Sequence, residues 1–205
     1  MKIIAFEGID GSGKTTQFKR QYELLNKSFS VSRYQYSSKD NFWGNIIQDI
    51  YSENSGIVQG LFNKSRAIQE VLYGLSARSN MKKISRTSGS ILLSDRSIIT
   101  AYASHLDRLP QWFIDIFEPP LIPDLAIYLD IPAEVGSERL QGRNIRFKDE
   151  SLKEQKEFYK GYDIIINKKR PRKISKTKIV RVDGALPLEA VTEEVYKNII
   201  DHLQL

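Results

Sequence analysis

The chain of 205 residues contains no cysteine and only two histidines, His105 and His202. The absence of cysteine excludes a disulfide framework, a zinc site with cysteine ligands and a thiol nucleophile. Neither histidine has a ligand or triad pattern beside it, so we expect surface or loop positions for both. The sequence also lacks an apolar run of the roughly 20 residues that a transmembrane helix needs, and an early apolar stretch typical of a signal peptide. We therefore expect a cytoplasmic protein without a membrane partner.

The composition is that of a globular protein, and its charge balance suits an anionic ligand. Hydrophobic residues make up 40% of the chain and charged residues 27%, which is ordinary for a globular domain. The formal net charge is +6, and this basic balance suits an anionic ligand without separating a nucleotide from a nucleic acid. A length of 205 residues favours a single domain, here residues 1–205.

Apolar strand-like segments alternate with helical patterns along the whole chain. Strands are predicted at residues 3–6, 29–36, 90–95, 125–130 and 178–183. Helices are predicted at residues 16–25, 42–51, 63–87, 98–105, 112–117, 132–140, 151–167 and 188–203. This alternation predicts an α/β domain with a parallel sheet of about five strands and helices on both faces. Ligands of such sheets bind at the carboxyl ends of the strands.

The segment from Gly8 to Thr15, GIDGSGKT, matches the phosphate-loop (P-loop) pattern G-x-x-x-x-G-K-[ST] at every position. It stands between the first predicted strand and the first predicted helix, which is the context that the motif needs. Glycines allow a tight turn whose N–H groups face phosphate oxygens, and the helix N-terminus adds partial positive charge. Lys14 is predicted to contact the β- and γ-phosphates of ATP, and Thr15 to ligate Mg²⁺. We assign ATP binding to Gly8, Ile9, Asp10, Gly11, Ser12, Gly13, Lys14, Thr15 and Thr16.

A second charged pair, Asp95-Arg96, follows an apolar strand. An acid at the carboxyl end of a buried strand is the position from which a P-loop protein contacts Mg²⁺. Arg96 can hold a phosphate through two parallel hydrogen bonds, which suggests that the acceptor is itself a phosphate. The competing interpretation of Asp95 is a helix N-cap. The intact phosphate loop favours the metal role.

Two further segments are strongly basic. Arg139, Arg143 and Arg146 lie in or beside a glycine-containing stretch, and we interpret residues 141–150 as a short lid. Phosphoryl transfer spreads negative charge over equatorial oxygens, so Arg143 and Arg146 are candidate catalytic residues, with a solvated basic loop as the alternative. The run at residues 168–178 is interpreted as a solvated connector rather than a nucleic-acid surface, because no aromatic residues interleave with it.

Taken in order, these motifs resemble the thymidylate kinase family. The resemblance rests on FEGIDGSGKTTQ at residues 6–17, on Asp95-Arg96, on PDLAIYLDIPAEVGSERL at 123–140 and on VDGALPLEAV at 182–191. It implies a P-loop nucleoside monophosphate kinase that converts ATP and dTMP to ADP and dTDP with Mg²⁺, and a homodimer. The alternatives are a kinase for another (deoxy)nucleoside monophosphate and a nucleotide-binding module that has lost transfer.

The resemblance also implies roles for matching positions. Asp10 is expected to hydrogen-bond the 3′-hydroxyl of the acceptor sugar, Arg78 to contact the acceptor nucleotide and Arg96 to hold the acceptor phosphate. Because the loop has Ser12 where some members place an arginine, the lid is expected to supply that charge. Small-molecule nucleotides are the expected partners, and the long helix at residues 63–87 is a candidate contributor to the dimer.

The acceptor side departs from the family pattern. Residues 34–39 replace the common R-E-P-G-G, Gly74 stands where a base-stacking phenylalanine is usual, and Ser97 follows Asp-Arg where a tyrosine is usual. The stretch after Ser97 is more similar to divergent archaeal-type members. Tyr73 and Tyr102 are the candidate base-stacking residues, with a core position as the alternative for each. The sequence therefore supports the donor site more strongly than the identity of the accepted base.

Overall fold

The computed structural model of the protein describes residues 1–36, 41–51, 65–84, 89–105, 108–118, 121–141 and 152–204. The strands are β1 (Lys2–Glu7), β2 (Val31–Gln35), β3 (Ile91–Asp95), β4 (Leu125–Asp130) and β5 (Lys178–Asp183). The helices are α1 (Lys14–Leu25), α2 (Phe42–Tyr51), α3 (Arg66–Ile84), α4 (Ile98–His105), α5 (Gln111–Phe117), α6 (Ala133–Gln141), α7 (Leu152–Asp163) and α8 (Leu188–Leu203). Within these ranges, every helix is too short or too polar to cross a lipid bilayer.

The five strands form one parallel sheet in the order β2-β3-β1-β4-β5. β1 lies at the centre, with Ile4 opposite both Leu93 of β3 and Leu125 of β4. The connection after β1 leads to β2 on one side of the sheet, and the connection after β3 leads to β4 on the other side, so a crevice opens at the carboxyl ends of β1 and β3, where ligands of such sheets bind. The predicted α/β architecture with a parallel sheet, typical of P-loop proteins, is confirmed.

Helices cover both faces of the sheet because successive side chains of a strand point to opposite sides. On one face, Phe18 of α1 and Val195 of α8 pack with Ile127 of β4. On the other face, Tyr162 of α7 packs with Tyr128 of β4. Both faces of the central strands are therefore buried, which explains why these strands are continuous apolar runs in the sequence.

Several element boundaries differ from the predictions by a few residues. β2 begins at Val31 rather than at residue 29. The long helix α3 spans Arg66–Ile84, while the rest of its predicted range lies outside the described residues. The helix predicted to run to residue 167 is α7 followed by one π-helical turn, Ile164–Lys168. The predicted lid also lies outside the described residues, except for Gln141 at the end of α6.

A buried acidic cluster lies where α3, α4 and the end of α5 meet β2. Glu70 and Glu118 are each 1% exposed, and the charge of Glu118 opposes ionisation of Glu70. The Tyr36 hydroxyl donates to Glu118, and His105 Nε2 lies 3.5 Å from a Glu70 carboxylate oxygen. The expectation of a surface or loop position for His105 is wrong, because it belongs to α4 and is only 5% exposed. Burial raises the pKa of Glu118 to about 7, and burial together with the neighbouring Glu118 raises the pKa of Glu70 to about 9. The pair therefore retains a proton at neutral pH.

This pair is expected to make the protein less stable as the pH rises from about 5 to about 9. The folded state binds protons here more tightly than the unfolded chain does, so ionisation of the pair favours unfolding across that window. Glu70→Gln removes one ionisation and is expected to flatten the pH dependence and raise Tm at pH 8.5. For a chain of this length, each 1 kcal/mol changes Tm by about 2–4 °C.

The measurement is thermal unfolding of both proteins between pH 5.5 and 9. Glu193→Gln on the exposed side of α8 is the matched control, because it removes a carboxylate that lies in solvent. An identical pH slope in wild type and Glu70→Gln would contradict the shared proton.

Candidate active site

The phosphate loop joins β1 to α1 in a backbone conformation that requires glycine. Gly8, Gly11 and Gly13 have φ angles of 140°, 80° and 94°, in the region that side chains disfavour. A Cβ on Gly8 would also lie 2.6 Å from the carbonyl oxygen of Leu129. Gly13 is followed directly by Lys14, the first residue of α1, so the loop ends on the free N–H groups of a helix N-terminus. The sequence motif thus forms an anion-binding turn.

Two cations at the loop pair with one carboxylate. Lys14 Nζ lies 3.5 Å from Asp10 Oδ1 and donates to the carbonyl oxygen of Ile9 at 2.6 Å. The Arg96 guanidinium donates to the same oxygen of Asp10, and also to the carbonyl oxygen of Gly8 at 3.4 Å. Lys14 is only 6% exposed. The three side chains together leave one uncompensated positive charge, which is available to an anionic ligand.

The pKa values of these groups reflect their crowding. Burial and the nearby charge of Arg96 lower the pKa of Lys14 to about 8. Burial favours the neutral form of Asp10, but the charges of Arg96 and Lys14 outweigh burial and hold its pKa below the ordinary value. Burial also disfavours the charged form of Arg96, yet Asp10 and other anions raise its pKa above normal. Arg96 and Asp10 are therefore ionised, and Lys14 is still mostly protonated near pH 7 but loses its proton above about pH 8 unless a phosphate binds beside it.

Thr15 and Asp95 meet beside the loop, where the sequence predicts a metal. The Thr15 hydroxyl donates to Asp95 Oδ2 at 3.2 Å. Within the described part of the chain, no three histidine or carboxylate side chains converge on a metal-sized site. A cation here would take its remaining ligands from phosphate and water. Two oxygen ligands beside a phosphate loop fit Mg²⁺, which keeps several waters and binds through substrate phosphates.

A cleft of about 620 Å³ crosses the carboxyl edge of the sheet above the loop. At the β2–β3 side it is lined by Gln35, Asp95 and Arg96. At the β5 side it is lined by Arg139, Leu140, Gly184, Leu186, Leu188 and Val191. One end of the cleft is therefore charged and the other is largely apolar, with the phosphate loop between them.

Two contacts at the loop have no local pattern in the sequence. Arg139 donates to the carbonyl oxygens of Gly11 at 3.3 Å and Gly184 at 3.0 Å, which joins the loop to the turn after β5. The side-chain oxygen of Gln155 on α7 accepts the backbone N–H of Asp10 at 3.1 Å. In the sequence, Arg139 belongs to a basic segment without a distinguishing pattern, and nothing marks Gln155. Both contacts depend on how α6 and α7 pack over the loop.

The two tyrosines predicted to stack on the acceptor base are not in this cleft. Tyr102 is 1% exposed, belongs to the core beneath α4 and donates its hydroxyl to Asp115. Tyr73 is partly buried against the cluster that contains Tyr34 and Tyr36. The structure thus favours the core position for Tyr102. Tyr73 lies on α3, where that helix packs against the end of β2.

Arg78 also has a contact that the sequence does not predict. Its guanidinium donates to the carbonyl oxygens of the last turn of α5, those of Ile116, Phe117 and Glu118. One turn earlier on α3, a Cβ on Gly74 would lie 2.6 Å from the Phe117 carbonyl oxygen. The two helices therefore cross too closely for a large side chain at position 74. Arg78 caps α5 and does not line the cleft.

The lid arginines and the basic run are the remaining predicted features. Arg143 and Arg146 fall outside the described residues. The basic run at 168–178 leads into the amino end of β5, whereas the cleft lies at the carboxyl ends of the strands. Within that run, Lys173 pairs with Asp115 at 3.6 Å.

The P-loop, its two cations and the switch-point cleft define a class, that of P-loop nucleotide-binding proteins. The family model described as thymidylate kinase matches residues 6–195. The chain belongs to the thymidylate kinase family, and it is thus an ATP-dependent nucleoside monophosphate kinase. The resemblance predicted from the motifs is confirmed.

Relatives from archaea and bacteria match most of the chain. A probable thymidylate kinase of Methanococcus maripaludis is 28% identical over 209 residues, covering 98% of this chain and 96% of the relative. A probable thymidylate kinase of Thermococcus gammatolerans is 30% identical over 174 residues, covering 78% and 80%. A thymidylate kinase of Staphylococcus epidermidis is 28% identical over 219 residues, covering 98% of both chains. The family-model match at residues 6–195 includes the loop, the charged pair and the last strand.

Proposed function

We propose that the chain transfers the γ-phosphoryl group of ATP to dTMP, giving ADP and dTDP, with Mg²⁺ as the metal. The observation that carries this proposal is that Lys14 and Arg96 stand over one phosphate loop and share Asp10. Two cations side by side suit two phosphate groups that must approach one another. The names of the relatives support dTMP as the acceptor.

The donor occupies the loop and the apolar end of the cleft in this proposal. The loop N–H groups and Lys14 bind the triphosphate, because free amides at a helix N-terminus attract anions. The base of ATP then extends toward Leu186, Leu188 and Val191, beside Arg139. Apolar side chains next to a cation are suited to a stacked aromatic base. The residues from Gly8 to Thr16 thus form the ATP site.

The acceptor enters from the charged end. Arg96 binds its phosphate and Asp10 accepts a hydrogen bond from its sugar hydroxyl. A phosphate oxygen of the acceptor forms a bond to the γ-phosphorus as the bond to the ADP oxygen breaks, and the electron pair leaves on ADP. The protein needs to do little covalent chemistry, so catalysis rests on alignment and charge screening. Thr15 and Asp95 would hold Mg²⁺, which would supply further screening of the phosphate charge.

Two finer features complete the proposal. Arg143 or Arg146 supplies a further positive charge to the transferred group, in a single kinase domain with a lid at residues 141–150. The active protein is a homodimer, which exposed apolar side chains on three helices support: Phe42 on α2, Ile68 on α3 and Trp112 on α5. Light scattering of the purified protein distinguishes a dimer from a monomer.

The first test is ADP formation from Mg-ATP with a panel of nucleoside monophosphates and a control without acceptor. We expect the highest kcat/KM with dTMP. A preference for another monophosphate would keep the mechanism and replace the acceptor. Bound ATP without transfer to any member of the panel would contradict the kinase function.

A further inference from the structure

Arg96 has a backbone conformation that arginine rarely adopts. Its φ angle is 75°, and among the described residues only Gln204 is another non-glycine with positive φ. Such strained residues persist only where surrounding contacts fix them, and they concentrate at functional sites. The Arg96 N–H donates to the carbonyl oxygen of Phe6 at 3.1 Å, and its carbonyl oxygen accepts the Ser94 hydroxyl. The strain therefore lies at the residue whose guanidinium pairs with Asp10.

Glu7, the last residue of β1, is buried directly behind this turn at 1% exposure. One carboxylate oxygen accepts the Ser97 hydroxyl at 2.6 Å. The other accepts the Thr100 hydroxyl at 2.6 Å and the Tyr162 hydroxyl at 2.8 Å. We call these four residues the Glu7 cluster. Because Ser97 follows Arg96 directly, the cluster ties the strained turn to α4, to α7 and to the strand that ends in the phosphate loop.

Burial alone gives no reason for a carboxylate at this position. Burial raises the pKa of Glu7, although the three hydroxyl groups and Arg96 oppose that effect. An apolar side chain would avoid the cost of desolvating a charge. The three hydroxyl donors are consistent with an ionised carboxylate, because each finds an acceptor oxygen on Glu7. The site therefore retains an ionisable group at a cost to stability, beside a strained arginine.

A second face supports the same arginine. The Phe158 ring of α7 lies 5.4 Å from the Arg96 guanidinium carbon, one turn before Tyr162. One turn earlier still, Gln155 binds the backbone of Asp10. These three residues lie on one side of α7 and contact Arg96, its partner Asp10 and Glu7. Both the backbone and the side chain of Arg96 are thus held from outside the phosphate loop.

We propose that Glu7, acting through Ser97, Thr100 and Tyr162, is a positioning residue that holds Arg96 over the phosphate loop for the acceptor phosphate. This inference rests on the proposed function, since it takes Arg96 to bind that phosphate. Without the Glu7 cluster, the backbone at Arg96 relaxes toward negative φ, and its guanidinium no longer points over the phosphate loop. The acceptor is then bound with poor alignment, while the ATP site on the loop is unchanged.

The test is a double-mutant cycle of Glu7→Gln and Arg96→Ala. For each protein, kcat/KM for dTMP, KM for ATP and Tm are measured. We expect Glu7→Gln to lower kcat/KM for dTMP by roughly tenfold, with KM for ATP changed by less than about twofold. In the Arg96→Ala background, Glu7→Gln is expected to cause no further loss, because the residue that it positions is absent.

Three outcomes separate the possibilities. If Glu7→Gln lowered kcat/KM for dTMP by the same factor in wild type and in Arg96→Ala, the role of Glu7 would be merely structural, and this would overturn the inference. Unchanged kcat/KM in Glu7→Gln, with Arg96→Ala still impaired, would overturn it and leave the proposed function standing. Full activity of Arg96→Ala would instead remove the acceptor role of Arg96 on which both depend.

Milder variants cover the case in which Glu7→Gln fails to fold. Tyr162→Phe removes one hydroxyl donor and is expected to lower kcat/KM for dTMP about threefold, again only when Arg96 is present. Ser97→Ala also removes an N-terminal cap of α4, since Ser97 accepts the N–H of Ile99 at 3.2 Å. Ser97→Thr keeps the hydroxyl and is expected to restore activity relative to Ser97→Ala. Tyr196→Phe on α8 is the matched control for loss of a tyrosine hydroxyl.

Discussion

Lys14→Ala is expected to lower turnover by about 10²-fold or more, because it removes a preorganised charge from the transferred phosphates. The same change is expected to leave the folded protein as stable as wild type or more stable. The pKa of Lys14 falls from 10.5 to about 8 on folding, which corresponds to roughly 3 kcal/mol of cost for burying its charge below pH 8. That cost declines as the pH rises from about 8 toward 10.5.

The measurements are steady-state ADP formation and thermal unfolding of wild type and Lys14→Ala at pH 7. Lys19→Ala is the matched control, since it removes an exposed lysine from the same helix. The affinity of the wild type for ATP is also expected to weaken above pH 8, because Lys14 loses its proton when no ATP is bound. Lys14→Ala is expected to lack this pH dependence. Near-normal turnover of Lys14→Ala would rule out its role at the phosphates.

Arg96→Ala is expected to lower kcat/KM for the acceptor by about 10²-fold or more. The guanidinium offers two parallel donors to a phosphate, and alanine leaves Asp10 with Lys14 as its one cationic partner at the loop. KM for the acceptor is expected to rise far more than KM for ATP. Arg96→Lys keeps the charge without the planar pair of donors, so its activity is expected to lie between those of wild type and Arg96→Ala.

Acceptor titrations at saturating ATP make this measurement. Arg172→Ala is the control, because Arg172 is an exposed arginine in the short helical turn before β5, at the opposite edge of the sheet. If Arg96→Ala and Arg172→Ala gave the same kinetics, Arg96 would have no special part in acceptor binding.

The donor side could be predicted from the sequence because its residues are contiguous. The loop from Gly8 to Thr15 carries its own backbone geometry, in which glycine stands wherever φ is positive. Strand ends could be read in the same way, since a buried parallel strand is an apolar run. The contact between Thr15 and Asp95 then follows, because β1 and β3 are neighbours with Phe6 opposite Asp95.

The acceptor side could not be predicted to the same degree because it depends on helix packing. Arg78 lies at a matching position in the sequence, but its donors reach the last turn of α5, where Gly74 allows a close crossing. Tyr102 lies on the face of α4 that the core covers. Gln155 contacts Asp10 across 145 residues of chain. The local spacing of residues in the sequence does not predict where α5 and α7 pack against the sheet.

Asp10 gives the phosphate loop an internal counter-anion. Its carboxylate already neutralises part of the charge on Lys14 and Arg96. An entering anion must therefore compete with the Asp10 carboxylate for these two cations. A small anion such as sulfate can pair with only one of the cations, so its binding free energy is small. A polyphosphate that spans the loop and contacts both cations binds much more favourably. The shared carboxylate therefore weakens the binding of simple anions more than the binding of nucleotides, and in this way contributes to selectivity.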